Sequence, residues 1–244
     1  MLTVSAAIAA CSAVVFDCAG TLLRLDPAPE QVFRGAAAEL GLAIALTDVA
    51  RAYDIVNFAL QMKSSELTTK ARKDTYYAAF NSALCTALGI HGSFDRLHPL
   101  LLSRFAQQRR WVACDDAAPA LVAIAARVPV HALANWDRQL DNTLTRAGLR
   151  HLLCDAASSE ELGAEKPARA CFEAFLTRNA LEPANVVYVG NEYAADVIGA
   201  RDAGLTPILV DRDNRMPYAD CLRVRSLLEL TPPPTDERAT GQAR

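Results

Sequence analysis

The chain has 244 residues, of which 52% are hydrophobic and 22% charged, and its formal net charge is −3. This length suits one large domain, or a core with a smaller second domain, that buries roughly 70–75% of its unfolded surface without disulfides or metals. The chain has no basic stripe, and no apolar run reaches the ~18 residues of a membrane span, which argues against nucleic-acid and membrane partners.

The seven cysteines are an odd number, and none of them stands in a CxxC pair. This pattern is typical of reduced thiols in a cytoplasmic protein, which is the location we expect. Residues 1–11 are apolar but lack the basic start of a secretory signal, so they are predicted to lead directly into the first strand. Residues 231–244 are rich in proline and polar side chains and are predicted to form a mobile tail.

In chain order, the hydrophobic pattern begins with a strand over Ala13–Phe16 and then changes to a helical period. About four amphipathic helices follow, and no strand pattern interrupts residues 30–110, which predicts an inserted helical cap over residues 26–111. After the cap, the predicted strands are 128–133, 151–156, 185–190 and 207–211, and the predicted helices are 118–127, 138–149, 168–180 and 194–205. This alternation predicts the α/β class, with a doubly wound parallel sheet built from residues 1–25 and 112–230.

Three charged residues stand where ligands bind in such sheets, beyond the carboxyl ends of the strands: Asp17, Lys166 and Asp196. Taken singly, Asp17 would more often be a turn residue, Lys166 would be solvated and Asp196 would cap a helix. Together they predict a displacement site with Asp17 as nucleophile, Lys166 holding an anion or steadying Asp17, and Asp196 as a second acid. The predicted substrate- and anion-binding residues stand beside them: Cys18, Ala19, Gly20, Thr21, Ala134, Asn135, Asn191 and Glu192.

These segments resemble the motifs of the haloacid dehalogenase (HAD) superfamily, and the resemblance covers nearly the whole chain. VVFDCAGTLL is similar to the first motif, a strand followed by DxDGT, and LANWDRQL is similar to the second. GAEKPARACFE resembles the third motif, which carries the lysine, and VYVGNEYAADVIGARDAGL resembles the fourth, usually GDxxxxD. The insertion resembles the four-helix cap of the superfamily, so the resemblance implies a Rossmann-like core carrying that cap.

Three positions depart from the pattern of the HAD phosphatases. In those enzymes the first Asp attacks phosphorus, and the Asp two residues later performs acid–base catalysis, which is worth roughly 10²–10⁴-fold; here that position is Ala19. Ala134 replaces a hydroxyl that binds the phosphoryl group, and the neutral Asn191 replaces an acid that usually binds Mg²⁺. We therefore expect no cofactor, with weak Mg²⁺ binding as the alternative, and no ordinary phosphomonoesterase activity.

Two branches of the superfamily also lack the second acid of the first motif. Haloacid dehalogenases attack carbon without a metal, but this chain lacks their Ser-rich fourth motif. Phosphonoacetaldehyde hydrolases carry Ala, as in the DCAGT of this chain, but keep Mg²⁺ and add a Schiff-base lysine from the cap. The cap lysines here are Lys63, Lys70 and Lys73, and the candidate specificity residues of the cap are Arg51, Tyr53, Asn57, Lys63 and Tyr76.

The residues that are retained can all act on a substrate with an anionic leaving group: Asp17 can attack carbon or act as a base, and Lys166 and the backbone N–H groups of the Asp17–Thr21 turn can bind an anion. We therefore predict an enzyme of small-molecule, specialised metabolism that removes halide, sulfate or phosphate from carbon by displacement, elimination or ring closure. Its partner would be a small anionic metabolite, and a protein partner or a homodimer is left open. The alternatives are a non-catalytic binding or scaffold protein and a residual Mg²⁺-dependent phosphatase in which Glu192 or Asp196 replaces the lost metal ligand.

Overall fold

The computed structural model describes residues 3–60, 70–108 and 110–231. The chain separates into two compact units: residues up to Arg24 and from Val112 onward form the first, and Leu25–Trp111 form the second. Residues 232–244 of the predicted tail lie outside the described residues. Across the described ranges, every helix is too short or too polar to span a bilayer.

The first unit is built around a six-stranded parallel sheet. Its strands are β1 (Ala13–Phe16), β4 (Val130–Ala134), β5 (Asp155–Ser158), β6 (Val186–Gly190), β7 (Thr206–Val210) and β8 (Leu222–Val224). Their spatial order is β5-β4-β1-β6-β7-β8, as a doubly wound sheet requires. Two further strands, β2 (Leu23–Asp26) and β3 (Arg110–Ala113), pair with each other where the chain passes between the two units.

Strand β1 lies in the middle of the sheet, with β4 on one side and β6 on the other. All four of its residues are apolar and buried, as expected of a strand covered on both faces. The last sheet hydrogen bond on this strand runs from the Asp17 backbone N–H to the Val189 carbonyl oxygen, at 2.8 Å. The chain therefore leaves the sheet at Asp17, at the switch point where open α/β sheets bind their ligands.

Helices accompany the strands of the first unit. They are α1 (Val4–Ala10), α6 (Ala117–Ala125), α7 (Leu140–Arg146), α8 (Ser159–Leu162), α9 (Arg169–Arg178) and α10 (Gly199–Asp202), with a π-helical turn at Tyr193–Ile198 and 3₁₀ turns at Arg150–Leu152, Pro183–Asn185 and Leu227–Leu230. Phe172 and Phe175 of α9 pack in one apolar cluster with Val15 and Tyr188 of the sheet. This packing fixes α9, and with it the loop that carries Lys166, against the central strands.

The second unit is helical, as the insertion was predicted to be. Its helices are α2 (Pro29–Glu39), α3 (Leu46–Ala59), α4 (Lys70–Ala87) and α5 (Phe94–Gln108), with a 3₁₀ turn at His91–Ser93. They enclose a separate apolar core that contains Phe33, Tyr53, Leu84, Leu97 and Leu101. Within the described residues, the four-helix arrangement of the predicted cap is confirmed.

Several local predictions were wrong. Residues 1–11 do not simply lead into β1, because Val4–Ala10 form a helix whose first turn is capped by Thr3 Oγ1, which accepts from Ala6 N at 3.2 Å. An alanine-rich segment preceded by Thr favours a helix, and that local preference was overlooked. The predicted strand over 151–156 begins only at Asp155, and the sequence pattern did not predict β2, β3 or β8. Strands this short carry too few residues to show a period.

Candidate active site

At the carboxyl edge of the sheet, the ammonium group of Lys166 joins side chains that are far apart in the chain. Nζ donates to Asp17 Oδ1 at 2.8 Å, to Asp196 Oδ1 at 2.6 Å and to the Tyr188 hydroxyl at 2.8 Å. An ammonium has three hydrogens, so these acceptors match its donors in full. Of the two roles predicted for Lys166, the geometry therefore favours steadying Asp17 over holding a substrate anion.

This cluster is shielded from water, so its charged groups interact more strongly than they would at the surface. Lys166 is 5% exposed, Asp17 6% and Asp196 1%. Burial raises the pKa of the Asp17 carboxyl to about 7; the Lys166 ammonium opposes that rise and the Asp196 carboxylate adds to it. Burial alone would lower the pKa of Lys166, but the two carboxylates raise it well above its ordinary value. Lys166 is therefore a permanent cation, and Asp17 changes charge near neutral pH.

The side chain of Asn191 lies between Asp17 and the turn that follows it. Its amide faces three oxygen atoms, and we assign the nitrogen to that side because two of them, on the Asp17 carboxylate and the Ala19 carbonyl, can only accept. The nitrogen then lies 2.8 Å from the Ala19 carbonyl oxygen, 2.9 Å from Thr21 Oγ1 and 3.2 Å from Asp17 Oδ2. Asp17 is consequently held through both oxygens, by Lys166 on one and by Asn191 on the other.

Two glycines allow these side chains to approach the backbone. Gly20 has a φ of +85°, and a Cβ there would lie 2.6 Å from the Asn191 amide. A Cβ on Gly190 would lie 2.3 Å from the Asp196 carboxyl group. A Cβ does not approach other non-bonded heavy atoms this closely, so each glycine is required by a neighbouring polar side chain of the site.

The backbone of the turn after β1 is less available to an anion than the sequence suggested. The N–H groups of Thr21, Leu22 and Leu23 all point to the Cys18 carbonyl oxygen, and Gly20 N–H donates to the Leu23 carbonyl oxygen. These groups cannot also cradle a ligand. Backbone hydrogen bonding therefore argues against an anion cradle at Gly20 and Thr21, and the Cys18 N–H is hydrogen-bonded to the Asp17 carboxyl group.

Of the two residues predicted around the second motif, Asn135 holds the backbone of Lys166 in place. Asn135 Oδ1 accepts from Lys166 N at 2.8 Å, and its Nδ2 donates to the Lys166 carbonyl oxygen at 2.9 Å. The side chain of Asn135 thus fixes the backbone of Lys166 and is already engaged on both ends. Ala134 is buried at the end of β4 and offers no polar group.

Cys18 and Glu192 differ in exposure and chemistry. Cys18 is fully buried, and burial together with the Asp17 carboxylate raises the pKa of its thiol well above the ordinary value. A thiol in that state is unreactive, which agrees with a packing residue. Glu192 is solvent-exposed over the residue as a whole, and its backbone N–H donates to Asp196 Oδ2 at 2.8 Å. The carboxyl end of its side chain is more enclosed, and this burial, together with the Asp196 carboxylate, raises the pKa of the Glu192 carboxyl group.

Tyr188 is a member of the cluster that sequence reasoning missed. Its hydroxyl accepts from Lys166 and donates to the Leu133 carbonyl oxygen at 2.9 Å, so it ties the ammonium to β4. A signal was present, because Tyr188 stands in an otherwise apolar, buried strand. A buried tyrosine hydroxyl needs a hydrogen-bond partner, and the strand ends were the place to look for it.

The candidate specificity residues of the helical unit have mixed positions. Tyr53 is 6% exposed and contacts Phe33 and Phe80, so it is a core residue of that unit. Arg51 pairs with Asp48 on the surface, and the Tyr76 hydroxyl donates to the Leu60 carbonyl oxygen. Asn57 is exposed. Lys63 and the side chains of Lys70 and Lys73 lie outside what the structure describes.

Comparison with known proteins agrees with this fold. A family model described as haloacid dehalogenase-like hydrolase matches residues 11–204. The chain therefore belongs to the haloacid dehalogenase-like hydrolases, and the family predicted from its motifs is confirmed.

The individual relatives match this chain either over a short segment or at low sequence identity. A glyceraldehyde 3-phosphate phosphatase from Methanothermobacter thermautotrophicus is 39% identical over 81 residues, which span 33% of this chain and only 34% of that protein. The magnesium-bound HAD-hydrolase YfnB from Bacillus subtilis superposes with a TM-score of 0.66 at 21% identity, covering 89% of this chain and 96% of that one. An L-2-haloacid dehalogenase from Xanthobacter autotrophicus with covalently bound chloropropionic acid gives a TM-score of 0.57 at 19% identity, covering 90% and 96%. These two structures share the fold.

Proposed function

We propose that this HAD-fold hydrolase removes an anionic leaving group, halide, sulfate or phosphate, from a carbon atom of a small anionic metabolite, with Asp17 as the nucleophile. The observation that carries the proposal is the identity of the residues around Asp17. Two residues after the nucleophile stands Ala19, which cannot exchange a proton, and Asn191 presents an amide nitrogen to Asp17. In the HAD phosphatases, phosphomonoester hydrolysis uses an acid–base residue at the first of these positions and an anionic metal ligand at the second.

The same residues form a poor site for Mg²⁺, which prefers several hard oxygen ligands with anionic charge. Here the oxygens nearest to Asn191 are Oδ2 of Asp17, whose other oxygen binds Lys166, the Ala19 carbonyl oxygen and the Thr21 hydroxyl. With the amide nitrogen directed at them, N–H groups fill the space between Asp17 and Ala19. Among the described residues, moreover, no cluster of three or more His, Cys, Asp or Glu side chains could hold a metal. We therefore propose a reaction that uses no metal.

Charge distinguishes attack on carbon from attack on phosphorus. Two carboxylates and one ammonium give the buried cluster a net charge of −1 when Asp17 is ionised. If no metal ion is bound, the net negative charge of the cluster repels the phosphoryl dianion of a phosphatase substrate. The carbon of a carbon–halogen bond carries no such charge, so a carboxylate can reach it without a metal to mask the repulsion, and among the proposed leaving groups this argument favours halide.

The proposed reaction has two balanced steps. A carboxylate oxygen of Asp17 forms a bond to the substrate carbon while the carbon–X electrons depart with X⁻, which leaves an alkyl ester. Water then attacks the acyl carbon of that ester, which releases the alcohol and returns the carboxylate with one oxygen from water. The sum is RX + H₂O → ROH + X⁻ + H⁺. Elimination or ring closure would release X⁻ without the ester.

A phosphatase is the second candidate, because the archaeal relative of 39% identity bears that name. The matched segment covers only a third of that protein, and its name does not extend to the residues of this chain that differ. A scaffold role is a third candidate, in which the Asp17–Lys166 pair would only stabilise the fold.

A panel assay of anion release separates these candidates. Chloride, sulfate and phosphate release would be measured from short haloacids, alkyl sulfates and alkyl phosphates, once with EDTA and once with millimolar Mg²⁺. We expect turnover of at least one carbon–X substrate that EDTA leaves unchanged and that Asp17→Asn abolishes. Phosphate ester hydrolysis that appears only with Mg²⁺ would establish the phosphatase, and no release from any member would favour the scaffold.

A further inference from the structure

Arg212, two residues after the end of β7, reaches the turn that follows β1. Its Nη2 donates to the Thr21 carbonyl oxygen at 2.9 Å, and its Nε donates to the Gly20 carbonyl oxygen at 3.4 Å. The same guanidinium forms a two-point pair with Asp116, with Nη1 2.7 Å from Oδ2 and Nη2 3.0 Å from Oδ1. One side chain thus connects the turn beside Asp17 to the start of α6.

Asp116 is itself held from the other side. Its Oδ2 accepts from Ser226 Oγ at 2.8 Å and from Leu227 N at 2.9 Å. Burial would raise the pKa of Asp116, but the hydrogen bonds from Arg212 and Leu227 hold it below its ordinary value. The carboxylate therefore stays charged, and a planar guanidinium facing it in a fixed fork has little freedom to move.

The turn that Arg212 holds is the one that positions Asn191. Ala19 and Thr21 contact the Asn191 amide directly, and Gly20 packs against it. We infer that Arg212, braced by Asp116, is a positioning residue: it fixes the Gly20–Thr21 backbone so that Asn191 stays on Asp17. The effect of Arg212 on the reaction rate rests on the proposed function, whereas its effect on the Gly20–Thr21 backbone does not.

The chain offers a matched control for this inference. Arg223 pairs with Asp211 at 2.9 Å and is 27% exposed, close to the 31% of Arg212, but its partners Asp211 and Asn214 lie outside the turn. Arg212→Met and Arg223→Met each remove one partly buried cation of the same unit. A difference between the two variants in the turn can therefore be assigned to the contacts with Gly20 and Thr21.

The first test is hydrogen exchange of backbone amides, resolved by residue. In Arg212→Met, the amides of Gly20, Thr21, Leu22 and Leu23 are expected to exchange about tenfold faster, because a turn that loses two hydrogen bonds opens more often. The amide of Asp17, bonded to Val189 in the sheet, is expected to keep its rate. Arg223→Met should leave all of these rates unchanged.

The inference is overturned if both variants speed the turn equally, if Asp17 accelerates as much as the turn, or if the turn keeps its wild-type rates. Should Arg212→Met fail to fold, Asp116→Asn and Arg212→Lys weaken the same brace more gently, and the turn amides are then expected to accelerate by a smaller factor. No acceleration in either of these variants would equally refute it.

The second test is kinetic and uses the carbon–X substrate identified by anion release. Arg212→Met is expected to lower kcat about tenfold with little change in KM, because the turn positions the nucleophile more than it binds substrate. Equal loss of kcat in Arg223→Met would mean a merely structural role. If no substrate turns over, the proposed function fails while hydrogen exchange still decides the role of Arg212.

Discussion

The variant Asp17→Asn is expected to fold and to lose at least about 10³-fold of its turnover, because it removes the nucleophile. Folding should survive the change. Lys166 keeps Asp196 and Tyr188 as partners, the amide oxygen of the substituted side chain can still accept from it, and the Asn191 amide can turn its oxygen toward the new nitrogen. Circular dichroism and the rate of anion release measure the two halves of this prediction.

Asp211→Asn is the matched control for that experiment. Asp211 is 7% exposed, close to the 6% of Asp17, and it pairs with Arg223 away from the cluster. It should show what the loss of a buried carboxylate does to stability alone, with turnover reduced only by any unfolded fraction. A folded Asp17→Asn protein that retains more than a tenth of the activity would refute the catalytic role of Asp17.

The second large effect is expected from Lys166→Met, which leaves two buried carboxylates without their cation. Removing one partner of a buried ion pair typically costs about 3–5 kcal/mol of unfolding free energy. We expect a loss of this size at pH 8, measured by urea denaturation, together with loss of turnover. Methionine keeps most of the side-chain volume, so a cavity contributes little.

The pH dependence identifies the cause of that loss. Burial already places the pKa of Asp17 above its value in the unfolded chain, and without the ammonium it rises further. Between the two pKa values the folded variant binds more protons than the unfolded chain, so its unfolding free energy falls as pH rises. The wild-type protein shares this fall up to about pH 7, the pKa of its own Asp17, whereas the variant continues to lose stability above it. The loss relative to wild type should therefore be smaller at pH 5 than at pH 8. A loss that is equal at both pH values would indicate that packing is the cause.

The sequence predicted the buried cluster around Lys166 better than its surroundings. Asp17, Lys166 and Asp196 each stand at a strand end, and parallel strands bring such ends to one edge, so their meeting followed from the alternation of strands and helices. Tyr188 was missed because its position follows the strand pattern and its hydroxyl partner comes from another segment. Arg212 and Asp116 give no local signal at all, since their pairing depends on how β7 and α6 lie in three dimensions.

Two expectations about the polar groups of the site conflict with the hydrogen bonds of the folded chain. The turn after β1 appeared free to bind an anion, but the Cys18 carbonyl oxygen and the Leu23 carbonyl oxygen take up its N–H groups. Asn135 appeared to face a substrate, but both ends of its amide bind the Lys166 backbone. Sequence patterns locate polar groups, whereas which partners they choose depends on distances that only the folded chain fixes.

The most direct test of carbon displacement is a single turnover in H₂¹⁸O, with enzyme in excess over the substrate that anion release identifies. If Asp17 attacks carbon and water opens the resulting ester at its acyl carbon, the peptide that contains Asp17 gains one ¹⁸O, about 2 Da by mass spectrometry. The alcohol of that first turnover then carries an unlabelled oxygen from Asp17. Label in the alcohol or in the released oxyanion, with none in Asp17, would contradict the proposed mechanism.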